Sequence, residues 1–465
     1  NILVRLLIIS LLASYLGKEG FGIYSYIVAF GEIFGVLSDF GVIRVGVREI
    51  ARNKNSAAEQ FGNVLALKGL LSLGTIGTVL AVAWAGRMET SLRSGIIIYT
   101  LAVVVNYYAN SFFVFYRAFE HMEYESVLII LERSLYLFFA FLAVRRDLGL
   151  NAIFLANLIS STIKLVAAPI ITHFKLVKLS FHIEVNSFLL YLQESLPIGI
   201  SMFLASLYLR VDVLILEYLR GSAEVGAFSG AYRIIDATMI LPVVIVSALF
   251  PVLSRRFESS DEAFRRFLSK SFRCLLLLAL PIAVGISVWA EFLVSWILDK
   301  SFVESVYSLR LLTLVLVLSY PNFLFSYTMT TLGKQKAYTI AVGLGLVLNI
   351  LIAFLLVPSM GYVGACLATV LAEIFVFVLA IYFLKRYANY SLALAEIWKP
   401  LAAAMLMGGI AYLGNSWNPV LRFVFVLPLA GIVYVAGLIL LGAVSSEEIL
   451  NLQITLSHFL RLRFR

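Results

Sequence analysis

The chain has 465 residues, 62% of them apolar and only 14% charged, with 36 Lys and Arg against 27 Asp and Glu for a net charge of +9. A soluble domain is about 45–50% apolar and about 25% charged, so this chain has too little polar surface to coat a water-soluble globule. That excludes a soluble enzyme, a nucleic-acid-binding protein and a secreted disulfide scaffold, and the positive excess reads as loop charge that orients a membrane protein.

Stretches of about 20 mostly apolar residues recur from end to end, and each can cross a hydrocarbon core about 30 Å thick. The predicted fold is all-α and polytopic, with fourteen membrane-spanning helices. The first, 1–16, starts mid-run at Asn1. It reads as truncated, with a start-Met and a short basic lead-in expected ahead of it, and no small-residue cleavage site follows. Spans 21–43, 61–85, 94–117, 124–144 and 149–172 complete a first set of six. A second set covers 188–218, 223–250, 273–296, 304–332, 336–358 and 361–385, and two more spans follow at 399–414 and 420–443. The charged connection 251–272 is expected to form a helix on the membrane surface. The basic, amphipathic tail after 444 is expected to lie on the headgroups. Cys274 and Cys366 both sit in apolar runs and read as buried small hydrophobes.

Even-numbered loops plus the tail hold 21 of the Lys and Arg residues, and odd-numbered loops hold 8. The positive-inside rule then predicts both termini in the cytoplasm, and the expected location is the plasma (cytoplasmic) membrane, as a multi-pass protein.

An internal repeat is visible. Tyr15 to Phe30 reads YLGKEGFGIYSYIVAF and Tyr218 to Ile234 reads YLRGSAEVGAFSGAYRI. Each has Tyr-Leu, a short polar turn, an apolar residue with Gly (Phe21-Gly22, Val225-Gly226) and a small/aromatic helix. LGLNAIFLANLIS from Leu148 matches MGYVGACLATVLAE from Met360 at a similar offset. Six helices therefore repeat as six in the same orientation, the arrangement of transporters whose two bundles rock about a central site. The predicted organisation is an N-lobe over 1–187 (helices 1–6), a C-lobe over 188–395 (helices 7–12), and helices 13–14 with the tail over 396–465.

The run LGKEGFGIYSYIVAFGEIFGVLSDFGVIRVGVREIAR (Leu16 to Arg52) resembles the second-helix region of polysaccharide-biosynthesis membrane proteins. RVDVLILEYLRGSAEVGAFSGAYRI (Arg210 to Ile234) resembles the seventh-to-eighth helix region of the same family. These are the O-antigen-type oligosaccharide-lipid flippases of the multidrug/oligosaccharidyl-lipid/polysaccharide exporter superfamily. The resemblance covers essentially the whole chain. It implies two six-helix lobes around a central cavity, with spans 13 and 14 outside the repeat. It also implies a cargo: an oligosaccharide linked through pyrophosphate to a polyprenol, turned from the cytoplasmic to the outer leaflet.

A charge within a span costs at least about 2.5–3.5 kcal/mol at the bilayer centre, so it faces a cavity or a partner unless it can snorkel. Lys68, Arg133, Lys164 and Arg310 lie near helix ends and read as snorkelling or locally paired. At 1.5 Å rise per residue, Arg5, Arg210 and Arg233 lie roughly 16, 12 and 15 Å deep, on spans 1, 7 and 8. Guanidinium binds phosphate bidentately, so these three are the candidate pyrophosphate site. The competing reading is that each neutralises an acid: Arg233 with Asp236 at i, i+3, and Arg210 with Glu217 seven residues on. Embedded carboxylates are candidates for coupling to H+ or Na+: Glu32 on span 2, Asp236 on span 8 and Glu373 mid-span 12. Asp39, near a cytoplasmic end, reads as structural. Gly31-x-x-x-Gly35 and Gly226-x-x-x-Gly230 permit close helix packing, and the prolines at 197, 242, 281 and 321 mark kinks in the second set of spans.

Gly17-Lys18 and Gly333-Lys334 do not extend to a phosphate-loop motif. His121, His173, His182 and His458 show no metal-ligand spacing. The outward loops are too short for the acidic domain of a membrane polymerase. The expectation is a non-enzymatic, cofactor-free flippase working by alternating access. Its expected partners are the lipid-linked oligosaccharide and membrane lipids, with glycan assembly enzymes as further candidates, and the expected state is a monomer. The rivals are a drug or organic-cation antiporter of the same superfamily, a membrane-embedded glycan polymerase or ligase, and a non-transporting scaffold.

Overall fold

A computed structural model describes residues 2–86, 89–177, 185–391, 397–418 and 421–443. Among these residues there is no strand. The helices are α1 (Ile2–Gly35), α2 (Val42–Arg52), α3 (Ala57–Ala85), α4 (Thr90–Ala109), α5 (Phe113–Ala118), α6 (Met122–Arg145) and α7 (Gly149–Lys175). They continue as α8 (Val185–Arg220), α9 (Ser222–Thr238), α10 (Ile240–Ser259), α11 (Asp261–Val288), α12 (Ala290–Ile297), α13 (Val303–Thr331), α14 (Gln335–Met360) and α15 (Tyr362–Ala388). The series ends with α16 (Trp398–Leu413) and α17 (Leu427–Leu440). Eleven stretches among the described residues are long and apolar enough to cross a membrane, and the first of them, Val4–Arg52, holds both of the first two predicted spans. With α16 and the shorter apolar helix Val424–Leu440, the fourteen predicted spans are accounted for. The protein is a polytopic, all-α membrane protein. The basic tail, His182 and His458 lie outside the described residues.

The break between the first two spans is a single residue. Gly17 sits inside α1 at φ 64, ψ −177, a conformation closed to residues with a Cβ. Span 2 ends earlier than predicted. After Gly35 a single 3-10 turn, Val36–Ser38, leads to Phe40 at φ 39 and Gly41 at φ 84. The residues beyond are not a loop but α2, whose Arg48 pairs with Glu49 and Glu194.

The segment 251–272 is also not a separate surface helix. α10 and α11 extend through it and meet at Ser260. Ser260 Oγ accepts from the Ala263 N–H at 3.1 Å, and Asp261 and Glu262 occupy the first turn of α11. A side-chain cap plus acids at the positive end of the dipole starts a helix there.

The chain packs as two compact units. The first comprises Asn1–Arg233, Val294–Ser308 and Val342–Ala372, and the second comprises Ile234–Leu293, Leu309–Ala341 and Glu373–Arg465. In the first, aromatic side chains of α3 and α5 form much of a dense core around Phe61, Phe113, Phe115 and Tyr116. Two buried cations sit beside it. Lys68 Nζ lies 2.9 Å from Asp39 Oδ1 and donates to the Tyr107 carbonyl at 2.6 Å. Lys164 Nζ donates to Glu132 and to Asn106 Oδ1, each at 2.7 Å. Both lysines are locally paired rather than snorkelling.

In the second unit, prolines shape the helices and tyrosines repair them. Proline has no N–H, so it frees the carbonyl four residues earlier. Pro242 frees that of Thr238, where α9 gives way to α10, and Tyr320 Oη donates to it at 2.9 Å. Pro281 frees the Leu277 carbonyl, and Tyr434 Oη donates to it at 2.7 Å. In a span no water replaces such a donor. Tyr434→Phe is therefore expected to cost about 1–3 kcal/mol, read as a lower melting temperature of the purified protein with its fold otherwise kept. The last two spans dock through the same unit: Gly408 lies against Val284, and Trp289 Nε1 donates to the Ala411 carbonyl at 3.1 Å.

Candidate functional site

A cavity of ≈ 420 Å³ opens within the first unit. Both halves of α1, with α4, α6, α7, α8 and α9, contribute its walls. Arg5, Arg210 and Arg233, the three arginines predicted from depth, all line it, and Arg133 joins them. Glu32 and Glu132 are the carboxylates of the lining. Four guanidiniums thus face two carboxylates, and Glu132 is already held by Lys164 at 2.7 Å and by Asn106 Nδ2 at 2.9 Å. The lining carries a formal charge of +2, and the pairing at Glu132 moves the effective balance further towards positive.

Glu32 lies inside this cavity, and Arg210 Nε donates to its Oε2 at 2.7 Å. The competing reading paired Arg210 with Glu217, and the acid it meets is Glu32. Glu217 instead accepts from Ser222 Oγ at 2.7 Å. The Arg210 guanidinium also stands over the Tyr232 ring, 5.9 Å from its centroid. One wall of the cavity is aromatic and amide-bearing: Tyr24, Tyr99, Tyr136 and Asn157. Tyr24 stacks on Phe154 with centroids 5.7 Å apart and planes 6° from parallel. The Tyr99 ring approaches α1 at Gly31, where a Cβ would lie 2.5 Å from it, so the first small-residue motif serves packing at the cavity wall. Rings fixed in this way give that wall apolar faces with a polar hydroxyl handle.

Asp236 and Glu373 belong to the second unit and are not among the lining residues. Glu373 is buried, and its Oε1 accepts from Ser319 Oγ and Asn322 Nδ2, each at 2.8 Å.

Sequence reasoning missed two features. It set Arg133 aside because it lies near a helix end. It also passed over Asp212, which points away from Arg210. Asp212 is 3% exposed, and its Oδ2 accepts from Thr369 Oγ1 at 3.0 Å and Asn349 Nδ2 at 3.3 Å. Asp212 Oδ1 and Asn349 Oδ1 have no protein partner. A buried carboxylate held by neutral donors, with two oxygens left over, is suited to a proton or a small cation. An acid two residues from an inward-facing arginine was the available signal.

The family model described as "Polysaccharide biosynthesis protein" matches residues 1–257, more than half of the chain, and one described as "MatE" matches residues 197–355. A curated relative, "Probable low-salt glycan biosynthesis flippase Agl15" of Haloferax volcanii, is 22% identical over 408 residues, covering 87% of this chain and 84% of the relative. Among solved structures, "Lipid II flippase MurJ, inward closed conformation" aligns with a TM-score of 0.76 at 15% identity, over 94% of this chain and 95% of that one. An inward-facing multidrug resistance MATE family transporter of the MOP superfamily aligns at 0.63 and 17% identity, over 84% and 95%. At these identities the structural likenesses establish the fold.

Proposed function

The chain belongs to the polysaccharide biosynthesis protein family, and from that premise we propose that it is a flippase for a polyprenyl-pyrophosphate-linked oligosaccharide. It turns that lipid from the cytoplasmic to the outer leaflet for surface glycan assembly, by alternating access and with both termini in the cytoplasm. No covalent bond is made or broken. The repeat boundaries near 187 and 395 mark the two bundles that exchange access. The observation that carries the reading is the cavity itself: four arginines against two carboxylates beside a wall of tyrosines. Arg5, Arg133, Arg210 and Arg233 bind the pyrophosphate, and the tyrosine wall takes the first sugars while the prenyl tail stays in lipid. The relatives named as flippases agree with it. A multidrug resistance MATE family transporter shares the fold, but a net cationic cavity would repel the cargo of an organic-cation antiporter.

Binding tests this. The purified protein is expected to bind a labelled pyrophosphate-linked oligosaccharide lipid, with inorganic pyrophosphate competing and organic cations not competing. Competition by organic cations alone would replace the flippase reading with the antiporter.

We place the coupling ion, H+ or Na+, at Asp212, Asn349 and Thr369, with Glu373, Ser319 and Asn322 as a second polar centre. Asp212→Asn keeps the shape and removes the charge. It is expected to leave cargo binding within about twofold and to abolish the response of transport to an imposed ion gradient. A gradient response equal to that of wild type would move coupling elsewhere.

A further inference from the structure

The turns that begin the second and eighth spans share a pattern at an offset of 204 residues. Gly17-x4-Gly22-x-Tyr24-Ser25 corresponds to Gly221-x4-Gly226-x-Phe228-Ser229. Both turn glycines have positive φ, 64 and 86. The inner glycines make a reciprocal contact. A Cβ on Gly22 would lie 1.8 Å from the Ser222 carbonyl oxygen, and a Cβ on Gly226 would lie 2.1 Å from the Lys18 carbonyl oxygen. Lys18 and Ser222 each stand four residues before their own glycine, so α1 and α9 cross at a pseudo-two-fold point that admits no side chain. Lys18 Nζ also pairs with Glu304 at 2.7 Å on this side.

One turn further in stand Ser25 and Ser229, three residues after each glycine. They are 2% and 4% exposed, and neither hydroxyl has a protein partner. A serine in a span ordinarily satisfies itself on the carbonyl four residues back, as Ser160 does on Ala156 and Ser271 on Phe267. Ser25 and Ser229 do not. Instead both line a separate chamber of ≈ 10 Å³, together with Arg210 and Arg233. That is room for about one water. Among the described residues no acidic side chain lines it. Two hydroxyl donors and two guanidiniums, that of Arg210 shared with Glu32 in the neighbouring cavity, favour an anion there.

We propose that this chamber is a second phosphate station, on the exit side of the arginines that the proposed flippase function assigns to the cavity. With the glycine contact closed, it holds a single water bridging the two serines. When the contact parts, the hydroxyls take a phosphate oxygen of the departing headgroup, so Arg210 and Arg233 release it stepwise rather than in one costly separation of charge.

The test is the double variant Ser25→Ala/Ser229→Ala beside Ser25→Thr/Ser229→Thr, in purified and liposome-reconstituted protein with labelled pyrophosphate-linked oligosaccharide lipid. The alanine pair is expected to bind the lipid within about twofold of wild type, because the cavity is intact, and to translocate it at least about tenfold more slowly at saturation. The threonine pair, which keeps the hydroxyls, is expected to retain most of the rate. Wild-type translocation by the alanine pair overturns the station, as does a fall in binding that matches the fall in rate. Failure of wild type itself to bind or move the lipid overturns the flippase reading on which the station rests, and so is distinct from failure of the serines alone.

Discussion

Replacing Arg210 or Arg233 with alanine is expected to weaken binding of a pyrophosphate-linked lipid by about 10-fold or more and to slow its translocation at least as much. A hydrogen bond to a charged group is worth about 1.5–3 kcal/mol, and about 1.4 kcal/mol is one decade of affinity. The two sites differ in sign of side effect. Arg210 neutralises Glu32 at 2.7 Å, so Arg210→Ala removes a donor and also leaves a carboxylate facing the phosphate. It should be the more damaging of the two, and Glu32→Gln added to it should recover part of the loss. If Glu32 only holds Arg210 in place, the added change recovers nothing. Arg233→Lys separates structural from functional roles: lysine keeps the charge but not the planar fork, so the protein should fold normally and bind pyrophosphate more weakly. Binding measured for the four variants at fixed ionic strength decides between these outcomes.

The largest expected effect on stability lies away from the cavity. Lys68 is fully buried and Asp39 nearly so. Removing one member of such a pair leaves the other charge buried without its counter-ion, at about 3–5 kcal/mol. Lys68→Met should therefore destabilise the protein severely, seen as loss of the folded peak on gel filtration. Lys68→Met with Asp39→Leu should restore much of the stability, because replacing both charges by apolar groups can be near neutral. The position explains why the pair exists. Asp39 closes the 3-10 turn at which α1 ends, and Lys68 also caps the Tyr107 carbonyl on α4, so one cation ties three helices at the bend in span 2.

The fold was largely legible because membrane spans advertise themselves by composition. Runs such as 336–358 and 361–385 need no tertiary information, and the Gly17 turn was marked by its polar neighbours. Breaks inside apolar runs were not legible. Residues 42–52 alternate Val and Ile with Arg, which reads equally as a span end with a basic loop or as the amphipathic helix it is. The division after Thr238 depends on Tyr320, 82 residues away, taking up the task that Pro242 leaves open. Charge and depth brought out Arg5, Arg210 and Arg233, because a deep guanidinium needs a reason to be there. The same rule, applied by distance from a helix end, set aside Arg133, which faces the cavity despite its shallow depth. Asp212 acquires meaning only from Asn349 and Thr369, 137 and 157 residues on. Spacing along one helix cannot reveal partners that arrive from two others.

The most direct test is translocation itself. The protein is reconstituted in liposomes with a fluorescent or radiolabelled polyprenyl-pyrophosphate oligosaccharide confined to one leaflet, and its appearance at the other is followed with wild type and with Arg210→Ala/Arg233→Ala. Wild type is predicted to equilibrate the lipid across the bilayer, and the folded double variant is predicted to leave it where it started. Equal translocation by both proteins would contradict the cationic site. Translocation by neither, with uptake of organic cations by wild type, would contradict the flippase reading as a whole.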